Sequence, residues 1–263
     1  MNQAPANVHP GARIADGVTI EPFATIYEDV EIGEGTWIGP NAVIMDGARI
    51  GKNCKVFPGA VISAIPQDLK YEGEITSVEI GDNTTIRECV TINKGTKARG
   101  ITSIGNNCLL MAYSHIAHDC KLGNGVIIVN SVAIAGEVEI DDFAIVSALS
   151  MIHQFCRIGK HAMLQGGARV GQDIPPYVMV GRVPLVYQGL NSIGLKRRGF
   201  SAEKINEIQE IYRVIYNSGK NNSQAYEHID KNFPSSPERD EILAFMKASK
   251  RGLIKGTNSP TAE

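Results

Sequence analysis

The sequence predicts a mainly β protein, in which a parallel β-helix of hexapeptide repeats is followed by an α-helical C-terminal domain. Three observations support this fold class. An aliphatic residue recurs every six positions, a small or β-branched residue comes four positions after each aliphatic, and both patterns stop near Val170. We therefore expect the β-helix over residues 1–190 and the helical domain over residues 191–263.

The aliphatic repeat begins at Val8 and keeps one phase of six. Val, Ile or Leu fills nearly every position of that phase, and the exceptions are Asp68, Glu74 and Ala98. A period of six fits neither an α-helix, with a period of about 3.6, nor a long amphipathic strand, with a period of about 2. It fits a short strand and a corner, so that three hexads form one triangular coil of about 18 residues. Glycine or aspartate often follows the aliphatic, at the expected corner, where φ can be positive.

Two stretches break the repeat and are predicted to be loops that leave the coil. They are residues 63–79 (SAIPQDLKYEGEITSVE) and 93–103 (NKGTKARGITS). Because loops carry binding and catalytic residues more often than a scaffold does, we expect these two to serve function. The small position of the repeat accommodates four cysteines, for which we expect a packing role: Cys54, Cys108, Cys120 and Cys156. Cys89 lies off this position and receives no role.

The spacing of apolar residues changes after Val170, which predicts helices in the tail. Ser201 is a candidate N-cap for a helix that ends at Gly219. Ser223 is the candidate cap of a second helix, and Ser236-Pro237 starts a third. The apolar residues at helical spacing in these segments are Ile205, Ile208, Ile211, Tyr212, Ile215, Tyr226, Ile229, Ile242, Leu243, Phe245 and Met246.

Composition limits the classes of function. The chain of 263 residues is 43% hydrophobic and 21% charged, which is typical of a globular protein, and a net charge of -2 gives no support for a nucleic-acid partner. The N-terminal residues show no signal peptide, and no apolar run reaches the roughly 18 residues of a transmembrane helix. Five cysteines without a CxxC pair fit a reducing compartment, so we expect a cytoplasmic protein.

Stacking of residues 18 apart gives one column of corner residues with catalytic potential. The column consists of His118, Gly136 and Gln154, the adjacent column of Asp119, Glu137 and Phe155, and His153 precedes Gln154. A histidine can act as a general base, and an uncovered glycine N–H can donate to an oxyanion. No cysteine or Ser-His-Asp set accompanies the column, so the nucleophile would be a hydroxyl of the substrate. Polar residues also occupy exposed corners without catalysing anything, and the spacing alone leaves both interpretations open.

More specific motifs accompany the repeat. They are QDLKYEGE (67–74), IRECVTINKGT (86–96), SHIAHDC (114–120), DDFAI (141–145), HQFCRIG (153–159), QDIPPYV (172–178) and GLKRRGF (194–200). Together they resemble the UDP-N-acetylglucosamine acyltransferase family, the first enzymes of lipid A and lipopolysaccharide synthesis, along almost the whole chain. The resemblance implies a left-handed β-helix, a homotrimer with active sites between subunits, and transfer of an R-3-hydroxyacyl group from acyl carrier protein to the 3-hydroxyl of UDP-N-acetylglucosamine. It implies neither a cofactor nor a metal, since the donor is the phosphopantetheine thioester of the carrier protein.

The resemblance also implies roles for individual residues. His118 matches the family's general base, Gly136 its backbone oxyanion donor, and Asp119 the aspartate that supports the base. Gln154 matches a residue that lines the catalytic site. The positions that match substrate contacts are Asp68, Lys70 and His115 for the acceptor sugar, His153 beside them, and Asn191, Arg197 and Arg198 for the nucleotide and the carrier-protein phosphates. Gly166 matches the position at which a bulkier residue closes the acyl groove, so we expect a long acyl chain.

Two positions depart from the family pattern. The family often has His after the oxyanion glycine, where this chain has Glu137, and Glu two residues after the asparagine, where this chain has Ile193. Glu137 places an anion at a substrate contact that is neutral or cationic in the family, and Ile193 makes a nucleotide contact apolar. The fine recognition of the acceptor is therefore open, including whether the sugar carries a 3-hydroxyl or a 3-amine.

Other functions compete with this one. The nearest are the N-acyltransferase that acts on UDP-3-O-acylglucosamine and a CoA-dependent hexapeptide acyltransferase, but the tail and the SHIAHDC and HQFC motifs favour the O-acyltransferase. A γ-type zinc carbonic anhydrase needs three histidines, and His115, His118 and His153 are enough in number but fall at different hexad positions. A binding scaffold without activity would have no need of the catalytic column.

Overall fold

A computed structural model describes residues 5–257, which form a parallel β-helix followed by a returning strand and α-helices. The strands are β1 (Asn7–Val8), β2 (Arg13–Ile14), β3 (Thr19–Ile20), β4 (Thr25–Ile26), β5 (Val30–Ile32), β6 (Trp37–Ile38), β7 (Val43–Ile44), β8 (Ala48–Ile50), β9 (Lys55–Val56), β10 (Val61–Ala64), β11 (Ser77–Ile80), β12 (Thr85–Ile86), β13 (Thr91–Asn93), β14 (Ile101–Ile104), β15 (Leu109–Leu110), β16 (His115–Ile116), β17 (Lys121–Leu122), β18 (Ile127–Ile128), β19 (Ala133–Ile134), β20 (Glu139–Ile140), β21 (Ile145–Val146), β22 (Met151–Ile152), β23 (Arg157–Ile158), β24 (Met163–Leu164), β25 (Arg169–Val170), β26 (Val178–Gly181) and β27 (Val186–Leu190). The helices are α1 (Ser192–Arg197), α2 (Ala202–Asn217), α3 (Asn222–Asn232) and α4 (Pro237–Ala248).

The strands of the β-helix alternate among three sheets, which are the three faces of a triangular prism. The first sheet runs from β1 to β25, the second from β2 to β23, and the third from β3 to β24 with β26 and β27 added at its end. Ile116 pairs with Ile134, and Ile134 pairs with Ile152, each in the next coil. This register confirms that residues 18 apart stack, as the repeat predicts.

Each coil is held by inward-facing side chains and by backbone pairing with the next coil. Around His118, the side chains of Ser114, Ile116 and Cys120 are buried, and the His115 N–H donates to the Val132 carbonyl at 2.9 Å. Burying an isoleucine side chain stabilises a fold by about 2 kcal/mol, so the repeated column of aliphatics supplies much of the stability. The four cysteines at the small positions are all buried, which confirms their packing role: Cys54, Cys108, Cys120 and Cys156.

The corners use positive φ at a different position from the one expected. The left-handed residue is the third after the aliphatic, as at Asp119 (φ 59°) and Glu137 (φ 59°), and glycine is not required there. The glycines directly after the aliphatics have no positive φ, so that expectation is wrong. They are needed because the coils approach closely, and a Cβ on Gly33 would lie 2.6 Å from the carbonyl carbon of Gly51.

The two breaks in the repeat form loops that are shorter than predicted. The first loop is residues 65–76, between β10 and β11, and the second loop is residues 94–100, between β13 and β14. The outer residues of both predicted stretches extend the flanking strands, because their backbone groups still pair with the neighbouring coils. Val78 pairs with Ala48, and Ser103 pairs with Lys121.

The tail contains the predicted helices and two further elements. Ser201 caps α2 and Ser236 caps α4, as expected, but α3 is capped by Asn221 in a capping box with Gln224, so the assignment of Ser223 is wrong. The antiparallel strand β27 and the short helix α1 are new. Tyr212 of α2 is fully buried and donates to the Pro176 carbonyl at 2.6 Å, which fastens the helices to the last coil.

The division of the chain into domains at residue 190 stays a prediction. Its outer ends, residues 1–4 and 258–263, lie outside the described residues. Within the part of the chain that the structure describes, none of the helices combines the length and the apolar character that crossing a membrane requires.

Candidate active site

A buried histidine–aspartate pair lies at the corner between the first and second sheets. His118 follows β16 directly, is 9% exposed, and points its Nδ1 at Oδ2 of Asp119, 2.8 Å away. A carboxylate can only accept a hydrogen bond from a neutral ring, so we assign the proton to Nδ1. The Nε2 atom is then left as an acceptor. This is the tautomer that a general base requires.

Asp119 is held from behind by the second loop. Its carboxylate is fully buried and accepts hydrogen bonds from the Thr96 hydroxyl at 2.7 Å, from the Thr96 N–H at 3.0 and 3.1 Å, and from the Arg99 N–H at 3.1 Å. Its own N–H donates to the Thr102 hydroxyl at 2.8 Å. The position of the histidine is therefore fixed through an aspartate that cannot rotate without losing several partners.

Gly136 lies against the imidazole of His118 in the next coil. A Cβ at this position would be 2.5 Å from both Cε1 and Nε2 of the ring, so any other residue would displace the ring. Among residues 5–257 the Gly136 N–H has no acceptor within hydrogen-bonding distance. A free N–H beside the basic nitrogen can stabilise negative charge that develops on a reacting carbonyl oxygen.

At the corner between the second and third sheets, the N–H of the equivalent residue, two after the aliphatic, is hydrogen-bonded. There the N–H groups of Lys52, Asp82 and Asn106 donate to side chains of the next coil, at 2.7, 2.7 and 2.8 Å. The side chain that follows Gly136 in its column is Gln154, which is exposed and leaves the Gly136 N–H open. Among residues 5–257 the equivalent N–H groups of Ala112, Asn130 and Ala148, at the corner between the third and first sheets, are open as well. What distinguishes Gly136 is the imidazole of His118 that lies against it.

A depression of about 500 Å³ opens over Nε2 on the outside of the first sheet. It is lined by Gln67, His115, Ala117, His118, Ala133, Ile134, Ala135, Gly136, Met151, Ile152, His153 and Gln154. Nδ1 of His115 forms a hydrogen bond of 2.7 Å with the Thr91 hydroxyl. Burial lowers the pKa of the His115 imidazole, which keeps the ring neutral near pH 7. His153 contacts the Gln154 carbonyl through Nδ1 at 3.1 Å.

The first loop adds a second carboxylate to the site. Oδ2 of Asp68 lies 3.8 Å from Nε2 of His118, beyond hydrogen-bonding distance but close enough for a bound group to contact both. The other oxygen of Asp68 accepts the N–H of Lys70 at 3.0 Å, which shapes the turn. Lys70 is exposed and Glu137 is half-buried beside Gly136.

The remaining predicted residues lie at the other two corners of the same chain. Gly166 is exposed between β24 and β25, at the corner between the third and first sheets. Arg198 stacks on Phe143, 4.4 Å from the ring centroid, at the corner between the second and third sheets. Arg197 and Ile193 are exposed nearby. Within one chain these residues do not join the histidine site.

Asn191 has a structural role that the sequence did not indicate. It is buried, its Oδ1 caps α1 by accepting the Gly194 N–H at 3.2 Å, and its amide donates to the His161 carbonyl at 3.0 Å. The predicted contact of Asn191 with a nucleotide would therefore have to share this amide. Thr96 and Thr102 also support the site, although the sequence singled out neither residue, and their only signal was their place in the second break of the repeat.

The described part of the chain contains no set of side chains that could ligate a metal. Between residues 5 and 257 no three His, Cys, Asp or Glu side chains converge as metal ligands would. His115, His118 and His153 occupy different positions of their hexads, and the Nδ1 atoms of His115 and His118 are engaged by Thr91 and Asp119. The arrangement is that of a proton-transfer site.

Comparison with known proteins identifies the family. A model described as UDP-N-acetylglucosamine O-acyltransferase, domain 2, matches residues 173–254, and one of bacterial transferase hexapeptide repeats matches residues 29–64 and 101–136. An acyl-[acyl-carrier-protein]–UDP-N-acetylglucosamine O-acyltransferase of Alkalilimnicola ehrlichii is 47% identical over 95% of this chain and 97% of its own. One of Thiobacillus denitrificans is 45% identical over the same shares.

Solved structures agree with the sequence relatives. A UDP-N-acetylglucosamine acyltransferase from Bacteroides fragilis superimposes with a TM-score of 0.94 and 51% identity, covering 97% of this chain and 100% of its own. That of Francisella novicida gives 0.93 and 43%, over 96% and 93%. These similarities confirm the predicted fold class, a left-handed parallel β-helix followed by a helical region. The chain belongs to the UDP-N-acetylglucosamine acyltransferase family.

Proposed function

We propose that this protein transfers an R-3-hydroxyacyl chain from acyl carrier protein to the 3-position of UDP-N-acetylglucosamine, the first step of lipid A biosynthesis. The observation that carries the proposal is the pairing of two groups: the acceptor nitrogen of His118 and the open N–H of Gly136, the residue of the next coil that lies against the His118 ring. The names of the family's relatives supply the donor and the acceptor. The carrier protein's phosphopantetheine thioester is a substrate, and no cofactor is needed.

The reaction follows from the two groups. The 3-hydroxyl of the sugar attacks the thioester carbonyl carbon, and its proton passes to Nε2 of His118 as the new C–O bond forms. The carbonyl oxygen becomes an oxyanion and accepts a hydrogen bond from the Gly136 N–H. When the intermediate collapses the C–S bond breaks, and the phosphopantetheine sulfur leaves with the proton that His118 returns. Asp119 orients the ring throughout and stabilises the imidazolium.

We assign the substrate contacts partly to residues around His118 and partly to residues at the other two corners. His115, His153 and Gln154 line the depression, and Asp68 and Lys70 follow the lining residue Gln67 on the first loop. We propose that these five residues contact the acceptor sugar. Glu137 stands next to the oxyanion donor, where it contributes to the choice between a 3-hydroxyl and a 3-amine. Asn191, Arg197 and Arg198 would contact the nucleotide and the phosphates of the donor, and Gly166 leaves the acyl groove open for a long chain.

We propose that the active enzyme is a cytoplasmic homotrimer. The proposed contacts lie on three different corners of one prism, at His118, Gly166 and Arg198, and cannot converge within a chain. Parallel prisms around a threefold axis bring a corner of one subunit against its neighbour. Complementation tests this directly: mixed trimers of His118→Ala and Arg198→Ala subunits should regain activity that neither parent assembly has. Mixed trimers as inactive as the parents would refute shared sites.

Acyl transfer itself is tested with the purified protein and defined acceptors. We expect acylation of UDP-N-acetylglucosamine or its 3-amino analogue, and a loss of about 10²-fold or more in kcat for His118→Ala, because a general base contributes about 10²–10⁴-fold. Mass spectrometry of the product formed from a mixed pool of acyl carrier proteins would give the chain length and the 3-substituent. Rapid acylation of UDP-3-O-acylglucosamine instead, or full activity of His118→Ala, would overturn the proposal.

A further inference from the structure

The second loop supplies every hydrogen bond that Asp119 receives, apart from that of His118. Oδ2 accepts both the Nδ1–H of His118 at 2.8 Å and the Thr96 hydroxyl at 2.7 Å, so the two donors fix that oxygen from different sides. Oδ1 accepts backbone N–H groups of Thr96 and Arg99. The carboxylate has no exposed surface, so water does not compete for these bonds.

We propose that Thr96 is a positioning residue for acyl transfer: its hydroxyl fixes the Asp119 carboxylate and thereby the orientation of His118. The inference rests on the proposed function, in which His118 is the base. The Thr96 hydroxyl accepts the Ala98 N–H at 3.2 Å, so its single proton is directed to Asp119. Without that bond, the carboxylate keeps only backbone donors on the loop side and gains freedom to turn about its side-chain bonds.

Three contacts that hold the second loop do not involve the Thr96 hydroxyl. The Gly100 N–H donates to the Thr96 carbonyl at 2.7 Å, and the Arg99 guanidinium pairs with Glu139 of β20. The Lys97 N–H donates to Glu74 of the first loop at 3.3 Å. These contacts do not involve the hydroxyl and remain in Thr96→Val, which removes the hydroxyl's bond to Asp119 and its acceptance of the Ala98 N–H.

Thr96 lies behind Asp119 and is only 6% exposed, so it does not line the depression over Nε2. A group in this place affects how the proton is transferred and has no direct contact with bound sugar or donor. The proposal therefore predicts a change in kcat with little change in KM, whereas unfolding of the loop would disturb Asp68 and raise KM for the acceptor.

The experiment compares Thr96→Val with Thr96→Ser and with a matched control. We expect kcat of Thr96→Val to fall about tenfold to a hundredfold, as for a displacement near 1 Å, with both KM values within about twofold of wild type. Thr96→Ser keeps the hydroxyl and should restore kcat to within about threefold. Thr84→Val removes a buried hydroxyl that bonds Gly105 and Cys108 in the coil, and should leave kcat unchanged. Wild-type kcat for Thr96→Val, or no rescue by serine, would overturn the proposal.

A double-mutant cycle separates positioning from general damage. On an Asp119→Ala background the hydroxyl has nothing to position, so adding Thr96→Val should change kcat by less than about twofold. Two losses that multiply would contradict the inference.

A second readout does not depend on the acyl-transfer assay. The Nδ1–H resonance of His118 in histidine-labelled protein, assigned with His118→Ala, should shift or broaden in Thr96→Val and stay in place in Thr84→Val. If wild type transferred no acyl group, the proposed function would fail, while this resonance would still decide the role of Thr96. An unchanged resonance in Thr96→Val would count against it.

Discussion

Replacing Gly136 with alanine tests the central contact of the site. The added Cβ would lie 2.5 Å from Cε1 and Nε2 of His118 and 3.1 Å from Nδ1. Carbon atoms in good contact are about 3.5–4.0 Å apart, so the ring and the new methyl group must separate by about 1 Å. The backbone of Gly136 is held on both sides, because the Ala135 N–H and the Glu137 N–H bond neighbouring coils at 3.0 Å. The side chain of His118 is therefore the part that moves.

The displacement affects activity more than stability. Moving the ring by about 1 Å breaks its alignment with Asp119 and with the acceptor hydroxyl, which costs about 10²-fold in kcat. The stability loss should be near 1 kcal/mol, at the low end for overpacking, because a ring at the edge of a depression can rotate outward. KM for the acceptor should rise little, since the proposed contacts of Asp68 and His115 with the sugar would be retained.

Steady-state kinetics and thermal unfolding of three variants check this reasoning. Gly171→Ala is the matched control: that glycine is exposed, has no positive φ, and its added Cβ meets no atom within 4 Å, so both readouts should equal those of wild type. On a His118→Ala background, Gly136→Ala should no longer lower the melting temperature. Wild-type kcat for Gly136→Ala, or a stability loss that persists without the imidazole, would refute the assigned contact.

Three further outcomes are expected. Burial lowers the pKa of His161 to about 4, so its neutral ring contributes its full stabilisation above pH 6.5. The free energy of unfolding should fall by about 3 kcal/mol between pH 6.5 and pH 4. His161→Phe keeps the stack with Phe143 and should abolish this pH dependence in urea unfolding. The exposed thiol of Cys89 should react rapidly with a disulfide reagent in the native protein, and Cys89→Ser should abolish this rapid reaction. The buried thiols should react slowly, since burial raises the pKa of Cys120 to about 12 and that of Cys156 to about 11. Gly166→Met should lower kcat/KM for long acyl donors by about tenfold and leave short donors unaffected; equal effects would argue against a groove at this corner.

The sequence could predict whatever follows from the six-residue register. That register determines which side chains face inward, where the coils turn, and which residues stack 18 apart, so His118 and Gly136 could be placed together before their contact was seen. Ser201 and Ser236 could be assigned as caps because each precedes a segment with helical spacing. The resemblance to a family then supplied roles, and the fold class was confirmed.

The missed features depend on contacts that no local pattern encodes. Thr96 lies 23 residues before Asp119, and their bond depends on how the second loop folds back over the coil. Asn191 caps a helix of only six residues, too short to show a period of about 3.6. Asn221 was passed over for Ser223 because both are good caps, and the choice depends on Gln224 completing the capping box.

The coils are regular, but the site occurs at one corner, because the side chains at each corner of a coil can differ from those at the other two. The residue two after the aliphatic lies at each corner, and it offers an N–H there unless it is a proline, as at Pro22, Pro40 and Pro58. At the corner between the second and third sheets, aspartate and asparagine side chains accept this N–H and connect the coils, as the Asp142 carboxylate accepts the Asn124 N–H at 2.7 Å. At the corner of His118 the corresponding partner is absent from the described residues, and glycine leaves room for a ring beside the open donor. Catalytic potential therefore arises where an open N–H lies beside a histidine, and the second loop supports that histidine through Asp119.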